Sequence, residues 1–198
     1  MAFYRIGNFM LYASIIHTPL GYMRAVATKT GLARLEWQQI PFTLPPFQQG
    51  KGQKDRSQNI DGRADSLQND VSRETIHQLD AYLAGSLSEF TISLDLSDVS
   101  APLQKWLNIL RTVPYGTTIS YAEYAEKWGN RKAARVAGGA CQRNPIPIII
   151  PCHRVLKADG SYDNYSGGDN KNPRHPNNIY IKQWLIEMEG KSASPHDA

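Results

Sequence analysis

The sequence predicts an α+β chain: a small N-terminal unit with an antiparallel sheet and a helix, then a mainly helical C-terminal unit that contains a helix-turn-helix and a cysteine loop. Three observations carry this. Short apolar runs between turn signals occupy the region before Trp37, a capping box and a Gly-Asn turn link two short helical patterns at 120–142, and a proline-rich apolar segment ends on Cys152.

Phe9–Ile16, Met23–Thr28 and Leu32–Trp37 alternate or cluster apolar residues around turns at His17–Gly21 and Lys29–Gly31, as an antiparallel meander would. Residues 45–70 turn to Gln, Gly, Lys, Asp, Asn and Ser and read as a polar loop. Ser72 opens a helix in which Ile76, Leu79 and Leu83 repeat at helical spacing, and Gly85 is placed to end it. Phe90–Leu96 alternates like a further strand. The units divide between 1–97 and 98–198, with Leu103, Trp106, Leu107 and Leu110 forming the stripe of a core helix at the start of the second.

Ser120-Tyr121-Ala122-Glu123 is a capping box, so a helix through Lys127 follows. Gly129-Asn130 then turns the chain and Asn130 caps a second helix, Arg131–Gln142. Its buried stripe is expected at Ala133, Val136, Ala137 and Ala140, with Lys132, Arg135, Gly138, Gly139 and Gln142 on the other side. Two adjacent glycines inside a helix cost roughly 1 kcal/mol each relative to alanine. Either close packing on another helix or approach to a sugar-phosphate wall would use that bare backbone.

The 198 residues carry a net charge of +4, and the excess lies wholly in the second half. Lys127–Ala158 holds seven basic residues and no acid, which suits a polyanion or a solvated basic face. The two cysteines, Cys141 and Cys152, exclude a disulfide framework, fit a reducing compartment, and lack metal-site spacing. The apolar start is broken by Asn8, His17, Pro19 and Gly21, so neither a signal peptide nor a membrane span is expected.

Asn144–Val155 reads NPIPIIIPCHRV, which places a thiol at the end of a stiff segment that must be buried. An imidazole and a guanidinium follow at once, company that helps a thiol to react as thiolate given its ordinary value of about 8.5. In Ile179–Glu189 the stripe Ile181, Trp184, Leu185 and Met188 faces inward, and Glu189 lies four residues past Leu185. Glu189 is then either the partner of a histidine acting on Cys152, through a water, or an ordinary glutamate of a last turn.

These residues resemble the O6-alkylguanine-DNA alkyltransferases, also called methylated-DNA–protein-cysteine methyltransferases. The likeness runs from Leu96 to Gly190 through Pro151-Cys152-His153-Arg154-Val155, Val113–Tyr121, Ala133–Ala140, Asn164–Gly168 and Trp184-Leu185. It implies that Cys152 accepts the alkyl group, with His153 and Glu189 as its activating relay and a thiol value below 8.5. Tyr121 would help extrude the lesion and polarise guanine N3. Arg135 would act as a finger filling the gap, on a helix lying in the minor groove of double-stranded DNA with Asn130, Lys132, Gly138 and Gly139. Asn144 would tie the helix-turn-helix to the active-site loop, and Pro147, Val155, Tyr165 and Ser166 would complete the base pocket. A cytoplasmic monomer, nucleoid-associated or nuclear when on DNA, is implied, without cofactor. The zinc ligands some members carry in the N-terminal half are missing, so metal is not expected. Asp169–Tyr180 is longer than the usual link, and Cys141 reads as a packing residue. The rivals are a lesion-recognition module without chemistry, against which Cys152 argues, and a turning-over thiol hydrolase, against which the adjacency of Cys152 and His153 argues.

Overall fold

The computed structural model describes residues 12–37, 70–162, 165 and 176–193. Strands β1 (Tyr12–Thr18), β2 (Gly21–Ala27) and β3 (Leu32–Trp37) form an antiparallel meander in that order. Alternation along β1 and β2 buries Ser14, Ile16, Met23, Ala25 and Ala27 on one face, the expected consequence of a period of two over a covered sheet. Helix α1 (Asp70–Leu83) covers that face. Its buried side holds Ser72, Thr75, Gln78, Leu79, Tyr82 and Leu83, more polar than the stripe expected from Ile76, Leu79 and Leu83, and Ile76 is only partly covered. The helix ends as the sequence indicates. Gly85 stands at φ +76°, and the N–H groups of Gly85 and Ser86 bond the carbonyls of Tyr82 and Ala81.

The predicted strand over Phe90–Leu96 does not form. That segment is extended but meets the sheet at one bridge, Leu94 beside Leu32. The two hydrogen bonds of that bridge both belong to Leu32, whose N–H reaches Ser93 O at 2.8 Å and whose carbonyl accepts from Asp95 N at 2.9 Å. A Cβ on Gly31 would stand 2.7 Å from the Leu94 carbonyl carbon, so only a glycine lets the segment cross there.

Helix α2 (Ala101–Leu110) buries Leu103, Trp106, Leu107 and Leu110 as its spacing requires. Strand β4 (Ile119–Ser120) leads into α3 (Tyr121–Lys127), whose capping box is complete: Glu123 N donates to Ser120 Oγ at 3.2 Å, and Ser120 N donates to Glu123 Oε2 at 2.7 Å. Gly129 turns the chain at φ +107°, and Asn130 Oδ1 accepts from Lys132 N at 3.1 Å. The second helix starts there as a tight turn over Arg131–Ala133 and continues as α4 (Ala134–Gln142). Its buried residues are Ala137, Ala140 and Cys141, whereas Val136 is 51% exposed. Val136 was expected inside; one residue, about 100° of helix rotation, separates it from Ala137, and the inward line runs through 137, 140 and 141.

Strand β5 (Val155–Leu156) pairs in parallel with β4, Ile119 opposite Val155 and Ser120 opposite Leu156. This ladder sets the start of α3 beside the exit of the cysteine segment. The last helix, α5 (Pro176–Ala193), begins earlier than Ile179, so residues 176–180 of the expected long link are helical. The rest of that link, the polar loop up to Asn69, and Ser166 lie outside the described residues. Buried residues of both halves form one continuous apolar cluster from Ile16 to Leu185. Among the described residues no helix is long and apolar enough to cross a membrane.

Candidate active site

The cysteine segment is held from within. Ile146, Ile148, Ile149 and Ile150 are buried, and Leu35 N of β3 donates to Pro145 O at 2.9 Å, which ties the segment to the sheet. Ile148 stands at φ +75°, a region that a β-branched residue avoids. Such a conformation costs on the order of 1–3 kcal/mol. Burying an isoleucine side chain contributes roughly 1.5–3 kcal/mol, enough to offset it. The segment is therefore bent under strain and locked by its own apolar side chains.

Cys152 lies in a single tight turn, Cys152–Arg154, with 4% of its surface exposed. Asn144, at the end of α4, clamps the segment at three points. Its Nδ2 donates to Ile150 O at 2.7 Å and to Cys152 Sγ at 3.2 Å, and its Oδ1 accepts from Ile146 N at 3.0 Å. The residue thus joins the helix-turn-helix to the thiol.

His153 is fully buried and Glu189 is 1% exposed, so the reading of Glu189 as an ordinary end-of-helix residue fails. His153 Nε2 lies 2.8 Å from Glu189 Oε1. A carboxylate only accepts, so Nε2 carries the proton. Burial lowers the basicity of His153, against the hydrogen bond and charge of Glu189, and favours the neutral ring. In that form Nδ1 is a bare lone pair, and Nδ1 is buried with no hydrogen-bond partner among the described residues. The bare Nδ1 is free to accept a proton.

Arg154 does not accompany the thiol. Its guanidinium turns to Glu189, with Nε 2.9 Å from Oε2 and Nη2 2.9 Å from Oε1, while Nη1 donates to Val113 O at 2.6 Å. Gly116 N donates to Glu189 Oε2 at 3.1 Å, and the phenol of Tyr82 on α1 donates to Oε1. Burial alone would raise the Glu189 carboxyl, but the hydrogen bonds and charges of His153 and Arg154 hold it at about 2. The resting sulfur differs from expectation. Burial pushes the Cys152 thiol up, and the Asn144 N–H and the Lys182 charge pull the other way without reversing it. The adjacent guanidinium is committed to Glu189, so it does not offset the effect of burial on the thiol.

The remaining candidates divide into two places. Pro147, Val155 and Tyr165 are buried, and Tyr165 Oη has no hydrogen-bond partner among the described residues. Tyr121 is half-buried at the head of α3, its ring 3.8 Å from where a Cβ on Gly138 would stand. Asn130, Lys132 and Arg135 are exposed on the turn and on α4, with Lys127, Arg131, Arg143 and Lys157 also exposed. Arg131 pairs with Glu126 at 2.5 Å, which moderates the basic face at one point. A Cβ on Gly139 would meet nothing within 4 Å, so helix packing is not what requires the bare backbone there.

Sequence reasoning missed Tyr82, the Gly116 N–H and Lys182. Lys182 is fully buried, with Nζ 5.8 Å from the centroid of the Tyr121 ring. It lies seven residues before Glu189, two turns along one face, so the argument that turned Glu189 inward also applied to it.

A buried cysteine clamped by Asn144, a neutral imidazole held on a carboxylate at the next residue and an exposed basic helix-turn-helix together mark a DNA-binding protein with a nucleophilic thiol. Two family models cover most of the chain: the ribonuclease-like domain of 6-O-methylguanine DNA methyltransferase matches residues 11–96, and its DNA binding domain matches 102–191. The methylated-DNA–protein-cysteine methyltransferase of Methanosarcina barkeri is 33% identical over 180 residues, 90% of this chain and 97% of that protein. The protein of the same name from Mycobacterium leprae is 49% identical over 122 residues, covering 62% and 67%. Among solved structures, Mycobacterium tuberculosis O6-methylguanine methyltransferase superposes with a TM-score of 0.69 at 28% identity, covering 94% of this chain and 97% of that one. The same organism's OGT in complex with DNA gives 0.67 at 31%, covering 90% and 92%. The chain belongs to the 6-O-methylguanine DNA methyltransferase family, and is with that a DNA-binding methyltransferase of DNA repair.

Proposed function

We propose that this chain transfers the alkyl group of O6-alkylguanine in duplex DNA to Cys152, once per molecule, after turning the damaged nucleotide out of the helix. The observation that carries the reading is the bare Nδ1 of His153 beside a thiol clamped by Asn144. His153 Nδ1 takes the thiol proton, through a water, while Nε2–H stays on Glu189. Sulfur then attacks the alkyl carbon, the carbon–O6 bond breaks, and its electron pair passes to the guanine. Tyr121 supplies a proton at N3 and recovers one from the site, so the products are guanine and a Cys152 thioether. A thioether is a poor leaving group, and the protein is consumed.

A base inside the duplex cannot reach a sulfur that is 4% exposed, so extrusion is required. Exposed Lys132 and Arg135, with half-buried Gly138 and Gly139 between them and the helix end, support docking of α4 in the minor groove, Arg135 entering the stack. Pro147, Val155, Tyr165 and Ser166 would surround the flipped base. The protein would act as a monomer in the cytoplasm or wherever DNA is held. O4-alkylthymine presents the same carbon–oxygen bond. Incubation with excess O6-methylguanine duplex, and in parallel O4-methylthymine duplex, is expected to give a burst equal to the protein present and then stop. Continued turnover would overturn the mechanism.

A further inference from the structure

The N-terminal half has no assigned part in the chemistry, yet one of its side chains reaches the relay. We propose that Tyr82, on α1, is a positioning residue of the reaction: its phenol occupies Glu189 Oε1 and so fixes how much of that carboxylate His153 receives. The inference rests on the relay proposed above.

Tyr82 is fully buried, and its ring packs against Phe90 at 4.9 Å and Tyr115 at 5.9 Å between centroids. Its Oη donates to Glu189 Oε1 and also stands 3.3 Å from His153 Nε2. One phenolic proton serves one acceptor, and the carboxylate is the stronger. The His153 N–H is then shared between Oε1 and, at longer range, the phenol oxygen. Burial and the negative charge of Glu189 raise Tyr82 well above the ordinary phenol range, so it remains a donor at any working pH.

The consequence is quantitative. A carboxylate that accepts from Tyr82, Arg154 and Gly116 has less basicity to offer His153, so the ring stays neutral and Nδ1 stays available. The other charged or titratable groups facing His153 are Lys182 and Glu189 of α5, and Cys152 and Arg154 of its own segment, with Tyr115 beyond Arg154. Those from α5 and the cysteine segment belong to the C-terminal half; Tyr82 alone among the named groups ties the relay to α1.

The test is the pH dependence of single-turnover transfer by full-length protein, wild type against Tyr82→Phe, which keeps the ring and removes the hydroxyl. Without the phenol the carboxylate favours imidazolium, so the acid limb should move up by about one pH unit. Below both midpoints the rate should then fall about tenfold, with DNA affinity unchanged. Phe90→Leu, which loosens the packing around the ring, should lower thermal stability and leave the limb in place. Histidine 15N shifts of the wild type, which need no variant, should show Nε2 protonated and Nδ1 bare. An unmoved limb in Tyr82→Phe, or a protonated Nδ1 in the wild type, overturns the proposal. A His153→Gln variant with wild-type rate instead sinks the relay itself, and a wild type that gives no burst sinks the proposed function.

Discussion

Replacing Glu189 by Gln keeps the shape of the side chain and removes the charge on which three elements converge. The carboxyl is held at about 2 against an ordinary value of about 4.5. That depression corresponds to about 3 kcal/mol of folding stability at neutral pH. The sign follows from linkage: the folded value is the lower, so the contribution is complete above about pH 4.5 and is lost as pH falls towards 2. The substitution also leaves Arg154, 8% exposed at its side chain, facing an amide, and breaking a buried pair costs about 3–5 kcal/mol. The two routes agree. For a chain of this size about 3 kcal/mol lowers Tm by roughly 6–12 °C. Thermal unfolding of wild type and Glu189→Gln should differ by that amount at pH 7 and converge between pH 4.5 and 2. Alkyl transfer should slow in the same variant, because His153 loses the charge that stabilises the imidazolium formed as it takes the thiol proton, while DNA affinity holds. Equal Tm values at pH 7, or a gap that persists unchanged at pH 2, would refute the reasoning.

Cys152→Ala should abolish transfer in a quench assay and retain DNA binding by gel shift, since the exposed basic residues lie on α4 and its turn; loss of binding would contradict that division. Arg135→Ala should slow repair in duplex DNA far more than reaction with free O6-alkylguanine base, and equal slowing on both would remove it as a finger. Gly139→Ala should stabilise the isolated protein by up to about 1 kcal/mol, because the helix gains propensity and the new Cβ meets nothing. It should also weaken DNA binding, and unchanged affinity would show that the bare backbone is not used on DNA.

The strands, the capping box, the Gly85 terminus and the cysteine segment were legible because each depends on local chemistry: alternation, a Ser–Glu pair three apart, a left-handed glycine, a run of isoleucines between prolines. Failures came where tertiary contact decides. Phe90–Leu96 alternates like a strand, but one bridge at Leu94 is all the sheet offers it. Val136 differs from its buried neighbour Ala137 by a single residue of helix phase, finer than a short Ala-Gly pattern specifies. Within the site, Cys152, His153, Glu189 and Asn144 were named and lie together. Tyr82 was not, because its partner is 107 residues away, and a tyrosine three residues after Leu79 looks like core. The sequence sets Arg154 two residues from Cys152, and only folding shows that it serves Glu189.

The donors gathered on Glu189 come from positions 82, 116, 153 and 154. No shorter piece of the chain assembles them, so the relay closes only when α1, the cysteine segment and α5 have all packed together. A nascent chain that has not yet added α5, or one whose N-terminal half has melted, carries its sulfur with no base oriented behind it. Such a chain exposes Cys152 near its ordinary thiol value, whereas the finished fold covers the sulfur and pushes its thiol up. Completion of the fold therefore shields the sulfur from stray electrophiles at the same step that sets His153 on Glu189.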